Sequence, residues 1–137
     1  MDIPGLLKAL ENDSNENIID LSLAEIEKNK KEILGELEIS LKERKSFLSS
    51  LKDYMFVEDL DKIKIGSYLR WIPVETPTKL TKGGVVCNIN ITDTGVTLLC
   101  KNFYNAFFKV KPDDNILFQK LTSQEKTLLH AMHYLKI

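Results

Sequence analysis

The stretch SLAEIEKNKKEILGELEISLKERKSFLSSLKDYM, residues 22–55, decides the fold because its pattern differs from everything that follows it. Its apolar residues recur three or four positions apart between charged ones, which is the period of an amphipathic helix. After it, apolar residues occur in short runs separated by turn-forming residues. The sequence therefore predicts one long helix, as the main part of a segment at residues 18–55, followed by a compact β part.

The predicted helix begins at a capping box. The Ser22 hydroxyl can accept a hydrogen bond from the Glu25 amide while the Glu25 carboxylate returns to the serine amide. The apolar seam that follows is coiled-coil-like, and we expect it to form the interface with a second copy or with a partner protein. The seam residues are Leu23, Ile26, Ile33, Leu37, Leu41, Leu48 and Leu51.

Several features weaken this seam. Lys30 and Arg44 occupy two of its positions. The step from Leu37 to Leu41 repeats a spacing of four, which locally unwinds a left-handed coil. Gly35 disfavours helix by about 0.5–1 kcal/mol relative to alanine. The helix therefore needs a face to pack on, which can belong to another copy, to the β part of the same chain or to a foreign protein.

Residues 1–17 form an acidic N-terminal segment that we expect to be flexible. Behind Pro4, apolar residues with helical spacing indicate a short amphipathic helix, which needs a docking face. These residues are Ile3, Leu6, Leu7 and Leu10. Residues 11–17 have no apolar period and predict a mobile linker.

Residues 56–121 predict a small antiparallel barrel of five strands, because short apolar segments alternate with turns every 8 to 12 residues or so. One strand ends at Pro73. Residues 73–84 contain two prolines and a Gly-Gly pair and predict a long surface loop. We expect the Gly-Gly pair to mark a tight turn or bulge where the chain re-enters the sheet.

The hairpin at residues 85–100 has an explicit predicted register. Alternation directs one set of side chains to the core, namely Val85, Cys87, Ile89 and Ile91. The turn Thr92-Asp-Thr-Gly95 sets Ile91 opposite Val96 and hence Cys87 opposite Cys100. We expect two reduced core cysteines, and a cross-strand redox pair is the alternative.

A second capping box, Thr122-Ser-Gln-Glu125, opens a C-terminal helix at residues 122–137. Its apolar stripe predicts packing on the barrel. The stripe consists of Leu128, Leu129, Met132 and Leu135. The whole chain is therefore predicted to be α+β.

Charge and hydropathy exclude several classes of protein. Nineteen basic and twenty acidic residues leave a net charge of −1, so no global field attracts nucleic acid or an anionic membrane. No apolar run is long enough to span a membrane, and the N-terminus lacks the pattern of a secretory signal. Two cysteines are too few for a disulfide scaffold. We expect an intracellular, cytoplasmic protein that is not secreted.

Candidate chemistry is sparse. His130 and His133 lie three residues apart on the C-terminal helix, but no third ligand is evident for a metal. No nucleophile elbow is present, and Lys82-Gly83-Gly84 precedes a strand instead of the helix that a phosphate loop requires. The sequence therefore predicts no catalytic residue, no cofactor, no metal and no small-molecule substrate, and hence a protein that is not an enzyme.

Aromatic and basic residues of the β part predict a recognition surface, although core filling by the aromatics and a solvated basic strand face are the alternatives. The aromatic candidates are Tyr68, Trp71, Phe103, Tyr104, Phe107 and Phe108. The predicted recognition surface comprises Tyr68, Arg70, Trp71, Lys82, Lys101, Tyr104, Lys109 and Lys111. Residues 56–121 hold nine Lys or Arg against seven Asp or Glu, an excess of only two.

The segments GSYLRW (66–71), GGVV (83–86) and FFKVK (107–111) resemble the strand pattern of SH3-like and Tudor-like small barrels. The resemblance covers about half of the chain, implies the barrel fold and carries over no functional residue. Such barrels hold proline-rich peptides or methylated cations on aromatic residues. The Lys-, Asn- and Ile-rich composition also resembles that of large-DNA-virus proteins, which implies a component of the virion or viral factory.

The primary functional hypothesis is a non-enzymatic assembly or adaptor protein. In it, the helix mediates oligomerisation or partner docking and the barrel presents a recognition surface. The alternative is a nucleic-acid-associated protein that binds through the basic and aromatic residues of the barrel.

Overall fold

The structure, a computed structural model, describes residues 3–12 and 22–135. It is α+β, as predicted. The helices are α1 (Ile3–Glu11), α2 (Leu23–Gly35), α3 (Leu41–Ser50) and α4 (Ser123–Leu135). The strands are β1 (Tyr54–Val57), β2 (Tyr68–Pro73), β3 (Gly84–Thr92), β4 (Gly95–Lys101), β5 (Phe107–Val110) and β6 (Asn115–Lys120). Short 3₁₀ turns occupy Leu60–Lys62 and Pro112–Asp114.

The prediction of one long helix over residues 22–55 is wrong, because the chain breaks it into α2 and α3. Helix α2 begins after Ser22, whose hydroxyl accepts from the Glu25 amide at 3.1 Å, and ends at Gly35. Helix α3 has its own capping box: the Ser40 hydroxyl accepts from the Glu43 amide at 3.1 Å, and the Glu43 carboxylate accepts from the Ser40 amide at 3.2 Å. The break falls at the predicted stutter.

The predicted closed barrel of five strands is also wrong. The sheet has six antiparallel strands in the order β1-β6-β2-β3-β4-β5, and it is open, with β1 and β5 at its edges. The additional strand, β1, joins the last two residues of the predicted helix to the first two of the predicted β part, and it pairs with β6 from Tyr54↔Lys120 to Val57↔Leu117. The loop predicted at residues 73–84 connects β2 to β3.

One face of the sheet forms a continuous apolar cluster, because alternate side chains of all six strands point to it. The buried members from the strands are Val57, Leu69, Val86, Leu98, Cys100, Val110 and Leu117. Residues of both edge strands meet in this cluster, so the sheet curls around it without closing. Ile63, which follows the first 3₁₀ turn, is buried in the same cluster.

Helices α2 and α3 cover part of the opposite face. Leu34, Phe47 and Leu51 pack with Ile72 and Phe118 of β2 and β6, and all five are buried. Both helices direct their apolar sides at the sheet. The chain turns between α2 and α3 so that each helix can pack on it. The seam therefore lies on the β part of the same chain, which is one of its three predicted docking faces.

Lys30 explains how a seam position can be charged. Its side chain is only 1% exposed, and its ammonium donates to the carbonyl of Leu51 at 3.0 Å and to that of Lys52 at 3.4 Å. Glu27 supplies the counter-charge at 2.8 Å. The lysine thereby joins α2 to the C-terminal end of α3.

The hairpin prediction is half right. Ile91 pairs with Val96 as expected, but the register shifts between Val86 and Asn88, so Val86 lies opposite Cys100. A β-bulge of this kind reverses the parity of the strand. In consequence Val85 and Cys87 are exposed, whereas Cys100 is buried. Beyond the bulge, Ile89 keeps the predicted side and is half-buried against the core, and Ile91 is exposed beside the turn. The predicted pairing of the two cysteines is therefore wrong.

The terminal helices pack on each other. The short helix predicted behind Pro4 is α1, and Ala9 is buried with Leu128 and Leu129 of α4. Both hydrogen bonds of the capping box predicted at the start of α4 form. The Thr122 amide donates to the Glu125 carboxylate at 2.9 Å, and the Glu125 amide donates to the Thr122 hydroxyl at 3.1 Å. Of the linker predicted at residues 11–17, Glu11 is instead the last residue of α1, and residues 13–17 lie outside the described residues. None of the helices in the described ranges is long and apolar enough to cross a membrane.

Candidate functional site

A groove opens between β2, the loop that precedes β3, and the turn that joins β4 to β5. Its volume is about 540 Å³. Five of the nine residues that line it are aromatic, and one is a lysine. The lining residues are Tyr68, Trp71, Thr81, Lys82, Gly83, Asn102, Phe103, Tyr104 and Phe108.

Hydrogen bonds to β2 fix the loop side of the groove. The Thr81 amide donates to the Trp71 carbonyl at 3.0 Å, and the Thr81 hydroxyl donates to the same oxygen at 2.9 Å. The Trp71 amide donates back to that hydroxyl at 3.2 Å. The Tyr68 hydroxyl donates to the Lys82 carbonyl at 2.7 Å. These hydrogen bonds therefore hold Tyr68, Trp71 and the Lys82 backbone together in one wall of the groove.

The Gly-Gly pair allows this wall to approach the sheet. Gly83 has φ +79°, and a Cβ at this position would overlap the Leu69 carbonyl oxygen. A Cβ at Gly84 would lie 2.6 Å from the Lys101 carbonyl oxygen. Only glycine fits two backbone approaches of this kind. The prediction of a tight re-entry into the sheet is confirmed.

Asn102 organises the opposite wall. Its side-chain oxygen accepts from the amides of Tyr104 and Ala106, each at 2.9 Å, and its backbone amide donates to the Ala106 carbonyl at 2.9 Å. Asn105 takes φ +62°, a left-handed conformation that asparagine tolerates well. The turn is therefore a defined structure that presents its aromatic residues from a fixed backbone.

The aromatic residues of this turn and of β5 face solvent. Phe103 is 88% exposed and Tyr104 is 82% exposed, and their rings meet edge to face with centroids 5.6 Å apart. Phe107 and Phe108 are also exposed, and the Lys101 ammonium lies 5.9 Å from the centre of the Phe107 ring. Contiguous exposed aromatic surface commonly marks a binding site.

A basic cleft of about 280 Å³ adjoins the groove and shares Tyr68 and Lys82 with it. Tyr54, Arg70 and Lys120 complete its lining. Arg70 is anchored, because its Nε donates to the Thr81 carbonyl at 2.8 Å and its Nη1 to the Ser50 carbonyl at 3.4 Å. The lining of this cleft contains no carboxylate.

The Tyr54 phenol keeps its proton in this cleft. Burial raises its pKa above the ordinary value of 10.0. Arg70 opposes that shift, whereas Tyr68 and Asp53 add to it. The hydroxyl is therefore a hydrogen-bond donor at neutral pH.

The structure brings together five of the eight residues predicted as a recognition surface. Tyr68, Trp71, Lys82 and Tyr104 line the groove, and Arg70 lines the adjoining cleft. Lys101 lies beside the groove against Phe107. Lys109 and Lys111 are exposed but line neither the groove nor the cleft.

Sequence reasoning missed Asn102, Thr81, Tyr54 and Lys120. An asparagine at the start of a turn was a usable signal, because its side chain readily bonds to following backbone amides. Tyr54 and Lys120 meet only because β1 pairs with β6. No local sequence pattern predicts a contact between residues that are so far apart in the sequence.

The predicted partner interface on the helical seam is largely occupied within the chain. Ile26 and Leu51 are buried, and Leu41 is 62% exposed. The half-buried members are Leu23, Ile33, Leu37 and Leu48. These side chains complete the chain's own core, and docking of a partner on the seam stays a prediction.

The remaining chemical candidates lie apart from the groove. His130 and His133 are exposed on α4. Within residues 3–12 and 22–135, no group of three or more His, Cys, Asp or Glu could hold a metal ion. Burial, with a smaller contribution from Cys87, raises the pKa of the Cys100 thiol to about 11, so this thiol stays protonated at neutral pH.

No protein-family model, curated protein or solved structure matches this chain. The groove and the basic cleft are consequently the features of the molecule that indicate a function.

Proposed function

We propose that this chain is a non-enzymatic module that binds single-stranded nucleic acid along the aromatic groove and the basic cleft. The observation that carries the proposal is their continuity through Tyr68 and Lys82. A single strand offers flat base faces for aromatic rings and phosphates for cations. One ligand of this class can therefore use both parts of the surface.

The charge of the lining argues against the ligands of the barrels that the sequence resembles. A methylated cation would meet the Lys82 ammonium at the shared wall, and no carboxylate among the residues that line the groove would offset the repulsion. A proline-rich peptide would use the aromatic rings but leave Arg70, Lys82 and Lys120 without a counter-charge. An anionic strand satisfies all of them.

A single strand fits better than a duplex because the rings can stack only on unpaired bases. Phe103 and Tyr104 project from the turn and are accessible to such a base. Base–aromatic stacking contributes about 1–3 kcal/mol per base and tolerates different sequences. We therefore expect binding with little sequence preference and weaker binding to duplex of the same length.

A protein partner is the second candidate, and the same exposed rings favour it. Large aromatic residues anchor protein interfaces, and Phe103 is almost fully accessible. In this form the chain would be the assembly or adaptor protein that its sequence suggested, with the groove as the docking surface in place of the helical seam. Salt dependence distinguishes the two candidates, because phosphate contacts release counterions.

The test is fluorescence anisotropy of a labelled oligothymidylate of about ten nucleotides, within the site size of small single-strand-binding domains. We expect saturable binding that weakens severalfold between about 50 and 200 mM salt. Tyr104→Ala should weaken it roughly tenfold through the loss of one stacking ring. Tyr134→Ala removes a similarly exposed tyrosine from α4 and is the matched control.

Three results would contradict the proposal. One is no binding to the single strand at low salt. The other is equal binding by the wild type and Tyr104→Ala, because a strand held only by scattered surface lysines would not need the ring. Tight binding to duplex with no preference for the single strand would also count against it.

A further inference from the structure

The basic cleft presents hydrogen-bond donors from three strands of the sheet. Tyr54 and Lys120 are paired across β1 and β6, and Arg70 comes from β2. With Lys82 at the shared wall, the cleft contains three cations. The nearby carboxylate of Asp53 lies outside the lining and faces the Lys126 ammonium at 3.9 Å. The donor set is suited to a phosphate group, whose oxygens accept hydrogen bonds and carry negative charge.

One of these donors is held in place before any ligand arrives. Arg70 is tied to the carbonyls of Thr81 and Ser50, so its planar guanidinium has a fixed position in the wall. The Tyr54 hydroxyl adds a neutral donor, since a phenol is protonated at neutral pH and burial raises its pKa further. The Tyr68 hydroxyl already donates to the Lys82 carbonyl and acts as structural support. A preorganised set of donors loses less conformational entropy on binding.

We infer that the cleft lined by Tyr54, Arg70, Lys82 and Lys120 is a phosphate subsite. It holds a backbone phosphate of a single strand whose neighbouring bases stack in the groove. This inference rests on the proposed function and adds a separate role for each of the two parts of the surface. The groove binds bases, and the cleft binds the phosphodiester between them.

Lys120 provides the clearest test, because its side chain is exposed and can be changed without opening the core. Lys120→Gln should weaken binding of oligothymidylate about threefold to tenfold at low salt and lower the slope of log Kd against log salt by about 0.7, the value for one phosphate contact on a single strand. Lys45→Gln, an exposed lysine on α3 that lines neither the groove nor the cleft, is the control and should change neither quantity.

A second ligand locates the contact chemically. An oligothymidylate with a methylphosphonate backbone keeps the bases and removes the phosphate charges. On this strand Lys120→Gln should bind as the wild type does, whereas Tyr104→Ala should still weaken binding.

The outcomes separate this inference from the proposed function. If Lys120→Gln matches Lys45→Gln on the phosphodiester strand, or weakens the methylphosphonate strand equally, the phosphate subsite is wrong. The proposed function then stands as long as Tyr104→Ala lowers affinity. If the wild type binds neither strand, both claims fail.

Discussion

Lys30 connects the two central helices through one buried ammonium group. It reaches the carbonyls at the C-terminal end of α3, where the helix dipole is negative, and Glu27 balances its charge. Lys30→Met keeps the apolar stem but removes the ammonium donor to the Leu51 and Lys52 carbonyls, so the Leu51 carbonyl keeps only its bond from the Tyr54 amide. We expect the free energy of unfolding to fall by about 1–3 kcal/mol, measured by urea denaturation.

Lys31→Met is the control for that variant, because Lys31 is the adjacent exposed lysine on the same helix. Its substitution should change the unfolding free energy by no more than about 0.5 kcal/mol. Equal stability of the two variants would show that the Lys30 contacts do not stabilise the packing of α2 on α3.

Gly83 and Gly35 should respond in opposite ways to the same substitution. Gly83→Ala places a methyl group against the Leu69 carbonyl at a positive φ, so we expect a loss of at least about 2 kcal/mol in unfolding free energy and a disturbed groove. Apart from its chain neighbours and the backbone of its own helix, no atom of the described residues lies within 4 Å of where a Gly35 Cβ would be, so Gly35→Ala should be neutral or stabilise by up to about 1 kcal/mol. Thermal denaturation of both variants checks this, and a stable Gly83→Ala would refute the close approach.

The two cysteines should differ sharply in reactivity. Cys87 is exposed in the bulge, whereas Cys100 is buried and has a raised pKa. A thiol reagent at about pH 8 should label one thiol per folded chain, and Cys87→Ser should abolish that reaction. Two thiols that react equally fast in the folded protein would be inconsistent with the observed register.

The raised pKa of Cys100 also has a consequence for stability. The thiol ionises near 9.0 when unfolded and near about 11 when folded. The free energy of unfolding therefore keeps its full value, as far as this thiol is concerned, below about pH 9. It falls as the pH rises toward 11, because the unfolded chain releases the thiol proton more readily than the folded chain.

At the scale of elements, the turn between β4 and β5 depends on one side chain. Asn102→Ala removes the acceptor for the amides of Tyr104 and Ala106. We expect hydrogen exchange of these two amides to accelerate at least about tenfold, because a hydrogen bond of about 1 kcal/mol or more is lost at each. Asn102→Asp retains an oxygen acceptor and should preserve their protection. Unchanged exchange in Asn102→Ala would mean that the turn is ordered by other contacts.

The break between α2 and α3 shows how far a local pattern could predict the elements. The sequence Ser40-Leu-Lys-Glu43 is a capping box as explicit as the one at Ser22, and together with Gly35 it marks the end of one helix and the start of the next. The continuous apolar seam nevertheless favoured one long helix, because two helices that pack on the same face of a sheet repeat the same apolar period. The bulge after Val86 is harder to predict, since one additional residue inverts the parity of the strand without a distinctive residue.

At the scale of the whole molecule, the sequence was sufficient for the α+β class and the terminal helices, and the predicted recognition surface contained four of the nine residues that line the groove. Closure of the sheet was not predictable, because it depends on whether β1 and β5 can pair. The site itself was only partly predictable. Tyr68, Trp71, Lys82 and Tyr104 stood out as aromatic or basic residues, but the shared wall that joins groove to cleft exists only through long-range strand pairing.

Trp71 reports directly on the central claim, because it is the single tryptophan of the chain and lines the groove. Its emission should change saturably as unlabelled oligothymidylate is added at low salt, with the same apparent Kd as anisotropy gives. The change should shift to higher strand concentrations in Tyr104→Ala and remain as in the wild type in Tyr134→Ala. If Trp71 emission stays constant while the labelled strand binds, the strand occupies another surface and the groove is not the nucleic-acid site.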